Sequence, residues 1–244
     1  MQPNLLLIHV DQLRYDCLGC HGHALVQTPH LDRLAREGMD FSHAFTPVPV
    51  CTPARASLLF GQWPTRHGIL TNEGTEAGAR HVPQGPTFSQ VLSAAGYASA
   101  YVGKWNVHSG IDPTQVGFDT YLAESAYGPW RSAQGAPPRH CQNGFFGEVD
   151  SAIHAEQSRL AWGADQTIAH MQGLAQGQAP WCLRWDPSEP HLPNVVPEPY
   201  ASMYAPEDIP PWASFEERFE GKPYIQQKQL ETWGIQDWTW SDWA

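Results

Sequence analysis

The segment of the chain with the most chemistry in it is Cys51-Thr52-Pro53-Ala54-Arg55. Thr52-Pro53 is a helix-start signal, which puts Cys51 at a helix N-terminus, where free backbone N–H groups and the helix dipole favour an anion. Arg55 follows one turn on, placed to pair with that anion or with chemistry at Cys51. Taken by itself the pattern describes a reactive thiolate with a lowered pKa, and equally a cysteine packed as a small hydrophobe. Three more polar groups stand at the ends of apolar runs. Leu5-Leu6-Leu7-Ile8 leads to Asp11, residues 97–102 deliver Gly103-Lys104, and residues 181–185 lead to Asp186 and a proline-punctuated loop carrying His191. In open α/β sheets ligands bind beyond the carboxyl ends of the strands, so parallel pairing of these runs would bring the groups together.

The elements that must do this positioning follow from pattern and punctuation. Leu5-Leu6-Leu7-Ile8 reads as a buried strand. Thr28-Pro29 opens a helix whose apolar face is Leu31, Leu34 and Ala35 and which Gly38 stops. A second helix carries Ala56, Leu58 and Leu59 and ends at Gly61. A third starts at Thr87, uses Phe88, Val91, Leu92 and Ala95, and ends at Gly96. Ala164, Ile168, Met171 and Leu174 fall at helical spacing. Residues 112–147 are rich in Gly and Pro and read as an irregular surface segment. Strands alternating with helices predict an α/β fold, a mostly parallel sheet flanked by helices.

Composition narrows the function. The 244 residues are 41% hydrophobic and 16% charged, the balance of a folded globular domain. A formal charge of −11 argues against a nucleic-acid surface, which needs clustered cations, but leaves room for a local cationic pocket. The first apolar run is far shorter than the roughly 20 residues that span a bilayer, so no membrane partner is expected. Met1-Gln2-Pro3-Asn4 lacks the basic start of a secretory signal, and five scattered cysteines do not form a disulfide framework. Both point to a cytoplasmic placement, or to a secreted or periplasmic one had a leader been removed.

Cys51-Thr52-Pro53-Ala54-Arg55, continued by Ala56-Ser57-Leu58-Leu59-Phe60-Gly61-Gln62-Trp63-Pro64 and Arg66-His67-Gly68, resembles the signature of the sulfatase family. So do Asn4-Leu5-Leu6-Leu7-Ile8 running into Asp11-Gln12, Thr28-Pro29-His30-Leu31-Asp32-Arg33-Leu34-Ala35, Gly103-Lys104-Trp105 and Pro190-His191-Leu192-Pro193. These segments keep the family order from residue 4 to about 193. The resemblance implies an alkaline-phosphatase-like fold and hydrolysis of a small-molecule or carbohydrate sulfate ester. It further implies that a separate maturation enzyme oxidises Cys51 to Cα-formylglycine. One hydroxyl of the hydrated aldehyde attacks sulfur; the second loses its proton, re-forms the aldehyde and ejects sulfate. A divalent cation, Ca²⁺ or else Mg²⁺ or Mn²⁺, stabilises the nucleophile and the sulfuryl oxygens.

By the same resemblance Asp11 and residue 51 would bind the metal, with Gln12 where many members have a second aspartate. Arg55 would orient the diol, Lys104 contact the sulfate, and His191 bind sulfate or protonate the leaving alcohol. Asn72 would be a polar contact. Two departures stand out. Asn106 occupies the place of a family histidine that takes a proton from the second hydroxyl, and His108 is the substitute nearest in sequence. The family's Ser-Asp-His-Gly-like segment of further metal ligands has no counterpart; Ser241-Asp242 does not match it. The chain therefore reads as the N-terminal part of a sulfatase catalytic domain, truncated at the C-terminal side. Residues 1–110 form a core with the nucleophile, 111–150 an irregular insertion, 151–200 a helix, strand and His-bearing loop, and 201–244 a Pro/Trp-rich tail.

Two rival functions follow. One is a phosphonate monoester or phosphodiester hydrolase using the same nucleophile on phosphorus; the other is an inactive fragment lacking the remaining ligands. Cys17-Leu18-Gly19-Cys20-His21-Gly22-His23 has zinc-like spacing, but lacks a second ligand pair and reads as a loop after the first strand.

Overall fold

The computed structural model describes residues 2–72, 83–139, 141, 146–217 and 219–243. Six strands occur among them: β1 (Leu5–Ile8), β2 (Ala98–Gly103), β3 (Thr120–Ala123), β4 (Gly147–Val149), β5 (Trp181–Asp186) and β6 (Asn194–Val196). The main sheet has the order β1-β5-β2-β3 with every pair parallel, and β4 and β6 form a separate parallel pair. The helices are α1 (Pro29–Glu37), α2 (Cys51–Phe60), α3 (Pro64–His67), α4 (Phe88–Ala94), α5 (Tyr127–Ala133), α6 (Arg159–Ala175), α7 (Tyr224–Trp233) and α8 (Trp240–Trp243).

β2 shows why the sheet is covered on both faces. Successive side chains of a strand point to opposite sides. Tyr101 enters one cluster with Ala56, Leu59 and Phe60 of α2 and with Ile69, Trp105 and Phe118. Its neighbours Ala100 and Val102 enter another with Leu183 of β5 and Met171 and Leu174 of α6. The Tyr101 ring meets Trp105, Phe118 and Tyr121 edge to face, with centroids 5.3 to 5.7 Å apart. Register then fixes the functional edge. Ile8 is level with Trp185, Val102 with Trp185, and Gly103 with Asp186, so three strands end together.

Three expectations differ from what forms. β1 is an edge strand rather than a buried one: among the described residues it pairs only with β5, and Leu5, Leu6 and Ile8 are 37%, 46% and 48% exposed. The Leu31 and Leu34 face of α1 and Val91 of α4 are also exposed. The span 112–147 is not irregular throughout, since it supplies β3 and α5 and buries Val116, Phe118, Tyr127 and Arg131. Arg131 is held there by a two-pronged ion pair with Asp150, at 2.6 and 3.0 Å. A polar pattern at the ends of this span hid an apolar interior. Among the described residues no helix is long and apolar enough to cross a membrane.

Gly103 is the hinge from β2 into the Lys104 segment. Its φ is +105°, and a Cβ built on it would lie 2.3 Å from the Asp186 carbonyl oxygen. Gly96 has a similar φ of +86° with nothing within 4 Å. Gly96→Ala should therefore cost only left-handed strain, about 1–2 kcal/mol. Gly103→Ala should lower the denaturant midpoint clearly further, because the backbone of β5 must also move. Equal losses in the two variants would contradict this reading of the β2–β5 edge.

Candidate active site

α2 begins at Cys51 itself, one residue earlier than the Thr52-Pro53 signal suggests. Pro53 is tolerated because first-turn residues have no intrahelical N–H partner to lose. Val50, at the cap position, offers no side-chain acceptor; Asn72 Oδ1 takes the Thr52 N–H instead, at 3.0 Å. Cys51 thus stands at the open end of a helix whose start is fixed by a loop 20 residues away. Its Sγ lies 3.8 and 3.9 Å from the two Asp11 carboxylate oxygens and 4.0 Å from Lys104 Nζ. Ligand-type atoms of Asp11, Cys51 and His191 all fall within 4.8 Å of one another.

Asp11 is 8% exposed and ion-paired on one oxygen, with Lys104 Nζ at 2.6 Å and an Arg55 NH2 at 3.2 Å. Burial pushes its carboxyl upward, but the Lys104 hydrogen bond and charge, then Arg55 and His191, outweigh it and hold it below its ordinary value. Arg55 is buried and turned toward the sheet. Besides Asp11 it donates to the Lys104 carbonyl oxygen at 3.2 Å and pairs with Asp186. Asp186 is completely buried and also receives Arg184 at 2.7 and 2.8 Å and the Tyr101 hydroxyl at 2.8 Å, with His9 Nδ1 at 3.3 Å. Burial opposes ionisation of Asp186, but Arg184, His9 and Arg55 overcome it and bring the carboxyl to about 2. Two carboxylates thus face three fixed cations, an excess of positive charge at the mouth of a helix.

The structure therefore brings Asp11, Cys51, Arg55, Lys104 and His191 to one place, with Asn72 beneath it. His191 donates from Nδ1 to the Leu192 carbonyl oxygen at 2.5 Å. Asn106 is exposed at φ 42°, its Oδ1 3.5 Å from Thr52 Oγ1. His108 takes a hydrogen bond from Gly110 N on its Nδ1 within its own turn and is not in the Asp11–Cys51–His191 group. Gln12 is exposed at φ 59°, a conformation few non-glycine residues adopt. His9, Tyr101 and Arg184 were not singled out from sequence, nor was the bond between Asp186 and Arg55. The available signal was Arg184-x-Asp186, a charged pair at strand spacing inside an apolar run. A cavity of about 1070 Å³ lies elsewhere, among Trp212, Phe215, Leu230 and Trp240 of the tail.

A helix-borne cysteine, a carboxylate and several cations thus gather at the carboxyl edge of an open parallel sheet, where α/β domains place their ligand sites. The Sulfatase family model matches residues 3–215, and the chain belongs to the sulfatase family. It is 30% identical over 236 residues to an arylsulfatase of Clostridium perfringens, covering 86% of this chain and 48% of that protein. It is 31% identical over 216 residues to a steryl-sulfatase of Mus musculus, covering 76% of this chain and 34% of that protein. The solved phosphonate monoester hydrolase of Agrobacterium radiobacter superposes with a TM-score of 0.71 at 28% identity, over 87% of this chain and 46% of that one. The fold is thus the alkaline-phosphatase-like fold of sulfatases and phosphonate hydrolases, and the chain spans about half or less of the length of these relatives.

Asp186 gives this site a testable acid limb. A carboxyl lowered in the fold adds stability that is complete above its unfolded value of 3.8 and is lost as pH falls toward 2. The loss attributable to it is about 2 kcal/mol. Asp186→Asn should remove that limb and cost about 3–5 kcal/mol near neutrality, because Arg55 and Arg184 are left buried without their anion. Denaturant titrations at several pH values read both effects; a variant as stable as the parent would contradict the network.

Proposed function

We propose that the chain carries the nucleophile half of a sulfate ester hydrolase, with residue 51 acting as Cα-formylglycine after a separate maturation enzyme has oxidised Cys51. The observation that supports this is the placement of the Cys51 side chain at the start of α2, between Asp11, Lys104 and His191. Formylglycine supplies a hydroxyl that attacks sulfur and a second hydroxyl whose deprotonation releases sulfate. Lys104 Nζ, 4.0 Å from the side-chain atom of residue 51, binds a sulfuryl oxygen and counters the charge that grows there. Arg55 holds Asp11 from below, and Asn72 keeps the helix start in place. His191 binds the sulfate or protonates the departing alcohol. With Asn106 unable to take a proton, His108 serves the second hydroxyl only through movement of its loop.

Family membership implies a divalent cation as well. The side chains gathered here do not fit Ca²⁺, Mg²⁺ or Mn²⁺ on their own. Such ions take six or more mostly oxygen ligands. This site offers one carboxylate already engaged by Lys104 and Arg55, one imidazole and one sulfur, with Gln12 exposed beside them. The substrate is a sulfated small molecule or carbohydrate; the names of the relatives, aryl and steryl, show that the alcohol half varies.

A second reading, hydrolysis of a phosphonate monoester, is favoured by the superposition on the Agrobacterium enzyme. Co-expression with a formylglycine-generating enzyme should lower the mass of the Cys51 peptide by about 18 Da, the change from CH₂SH to CHO. In the full-length form Lys104→Ala should lower aryl sulfate turnover by about 10²–10³-fold. Faster turnover of an aryl phosphonate than of an aryl sulfate would select the second reading. An unmodified Cys51 peptide would remove both.

A further inference from the structure

The loop that carries His191 is fastened from outside the site. It connects Asp186 at the end of β5 to Asn194 at the start of β6, and within it the His191 N–H closes a turn on the Ser188 carbonyl oxygen at 2.8 Å. Ser188 is 7% exposed, and both of its donors go to one carboxylate. Its backbone N–H meets Glu124 Oε1 at 3.1 Å, and its hydroxyl donates to Glu124 Oε2 at 2.6 Å. Glu124 opens the turn that follows β3, so the fourth strand of the sheet also delivers a carboxylate at its carboxyl end. We infer that Glu124 is a positioning residue for His191, fixing through the Ser188 turn where the imidazole stands against residue 51. The inference rests on the hydrolase reading for the task of His191, but not for its placement.

Two guanidinium groups complete the fastening. Arg159, at the start of α6, lies 3.4 Å from Glu124 and donates to Glu189 at 2.8 Å. Arg139 donates to the Pro193 carbonyl oxygen at 3.1 Å and lies 3.9 Å from Glu189. Positions on both sides of His191 are therefore held by the ends of β3 and α6 and by residue 139. Glu124 is the centre of this arrangement because it takes both donors of a nearly buried residue, and buried donors are costly to leave unpaired. It is not among the ligand-type atoms grouped around residue 51. It reaches the site only through the turn.

Charge and position make opposite predictions for its removal. Taking a carboxylate away from the surroundings of an anion site tightens anion binding on Coulombic grounds alone. Loss of the Glu124 oxygens instead leaves the Ser188 N–H and hydroxyl to seek water, which moves the turn and His191 with it. Anion binding then weakens. Arg159 keeps Glu189, so its guanidinium is not stranded in the variant. Glu124→Gln removes the same charge as Glu124→Ala but retains an oxygen for the Ser188 N–H. It should therefore fall between the parent and Glu124→Ala.

The test titrates the 244-residue chain with inorganic sulfate at low ionic strength, read by calorimetry. His191→Ala should weaken binding roughly tenfold, as expected for loss of one hydrogen bond to a charged group. Glu124→Ala should weaken it about threefold or more and Glu124→Gln less, while adding Glu124→Ala to His191→Ala should cost nothing further. Glu198 takes the N–H and hydroxyl of Ser202 in the same manner, at 3.3 and 2.6 Å, beyond the His191 loop. Glu198→Gln should leave sulfate binding unchanged. Tighter binding in Glu124→Ala, or losses that add in full in the double variant, overturns the inference and leaves the hydrolase reading standing. A parent chain that binds no sulfate, or binds it equally well in His191→Ala, removes that reading and the inference together. Placement is also read with no anion present. The His191 ring signal in a carbon–proton NMR spectrum, assigned by its loss in His191→Ala, should shift or broaden in Glu124→Ala, while that of His170 on α6 stays in place. An unmoved His191 signal overturns the inference by itself.

Discussion

One buried carboxylate ties the molecule together. Asp186 ends β5 and is fully buried, an arrangement that is costly unless charge answers it. Arg184 from its own strand, Arg55 from α2, the Tyr101 hydroxyl from β2 and His9 beyond β1 all answer it. Each partner comes from a different element, so the carboxylate joins the helix that bears Cys51 to the three strands that end level with it. Arg55 carries the connection outward to Asp11 and to the backbone of Lys104. The position of residue 51 is therefore set by charge pairing inside the sheet edge as much as by hydrophobic packing of α2.

The sequence shows some of this and hides the rest for physical reasons. The parallel α/β architecture could be read because helix caps and Gly stops are local signals: Thr87 with Gln90, Thr28-Pro29, Gly61. The gathering of Asp11, Lys104 and His191 could be read because strand ends in such sheets share one edge. Burial could not be read for β1, because four apolar residues look alike whether a strand is central or at an edge. Nor could β3 and α5 be read inside 112–147, where Gly and Pro at the margins conceal a short apolar core around Phe118. The Arg184–Asp186–Arg55 network depends on a pairing between residues 131 apart, Asp186 and Arg55, which no local pattern encodes.

Leu5, Leu6 and Ile8 leave apolar surface on β1, the strand that leads to Asp11, and Leu31 and Leu34 leave more on α1. Asp11 is also the one carboxylate among the three groups gathered around residue 51. The carboxylate of the site and the open edge of the sheet are therefore reached from the same strand. Local charge at the site itself is positive, although the chain as a whole carries −11. That contrast suits an anionic ester bound among Lys104, the start of α2 and His191.

In the proposed hydrolase this edge receives the anionic group of the substrate against residue 51. A crystal structure of the matured chain grown with inorganic sulfate measures it directly. One sulfate is expected in contact with Lys104 Nζ, the side chain of residue 51 and the His191 ring. Sulfate held only at other sites, with the side chain of residue 51 turned into packed hydrocarbon, would contradict it.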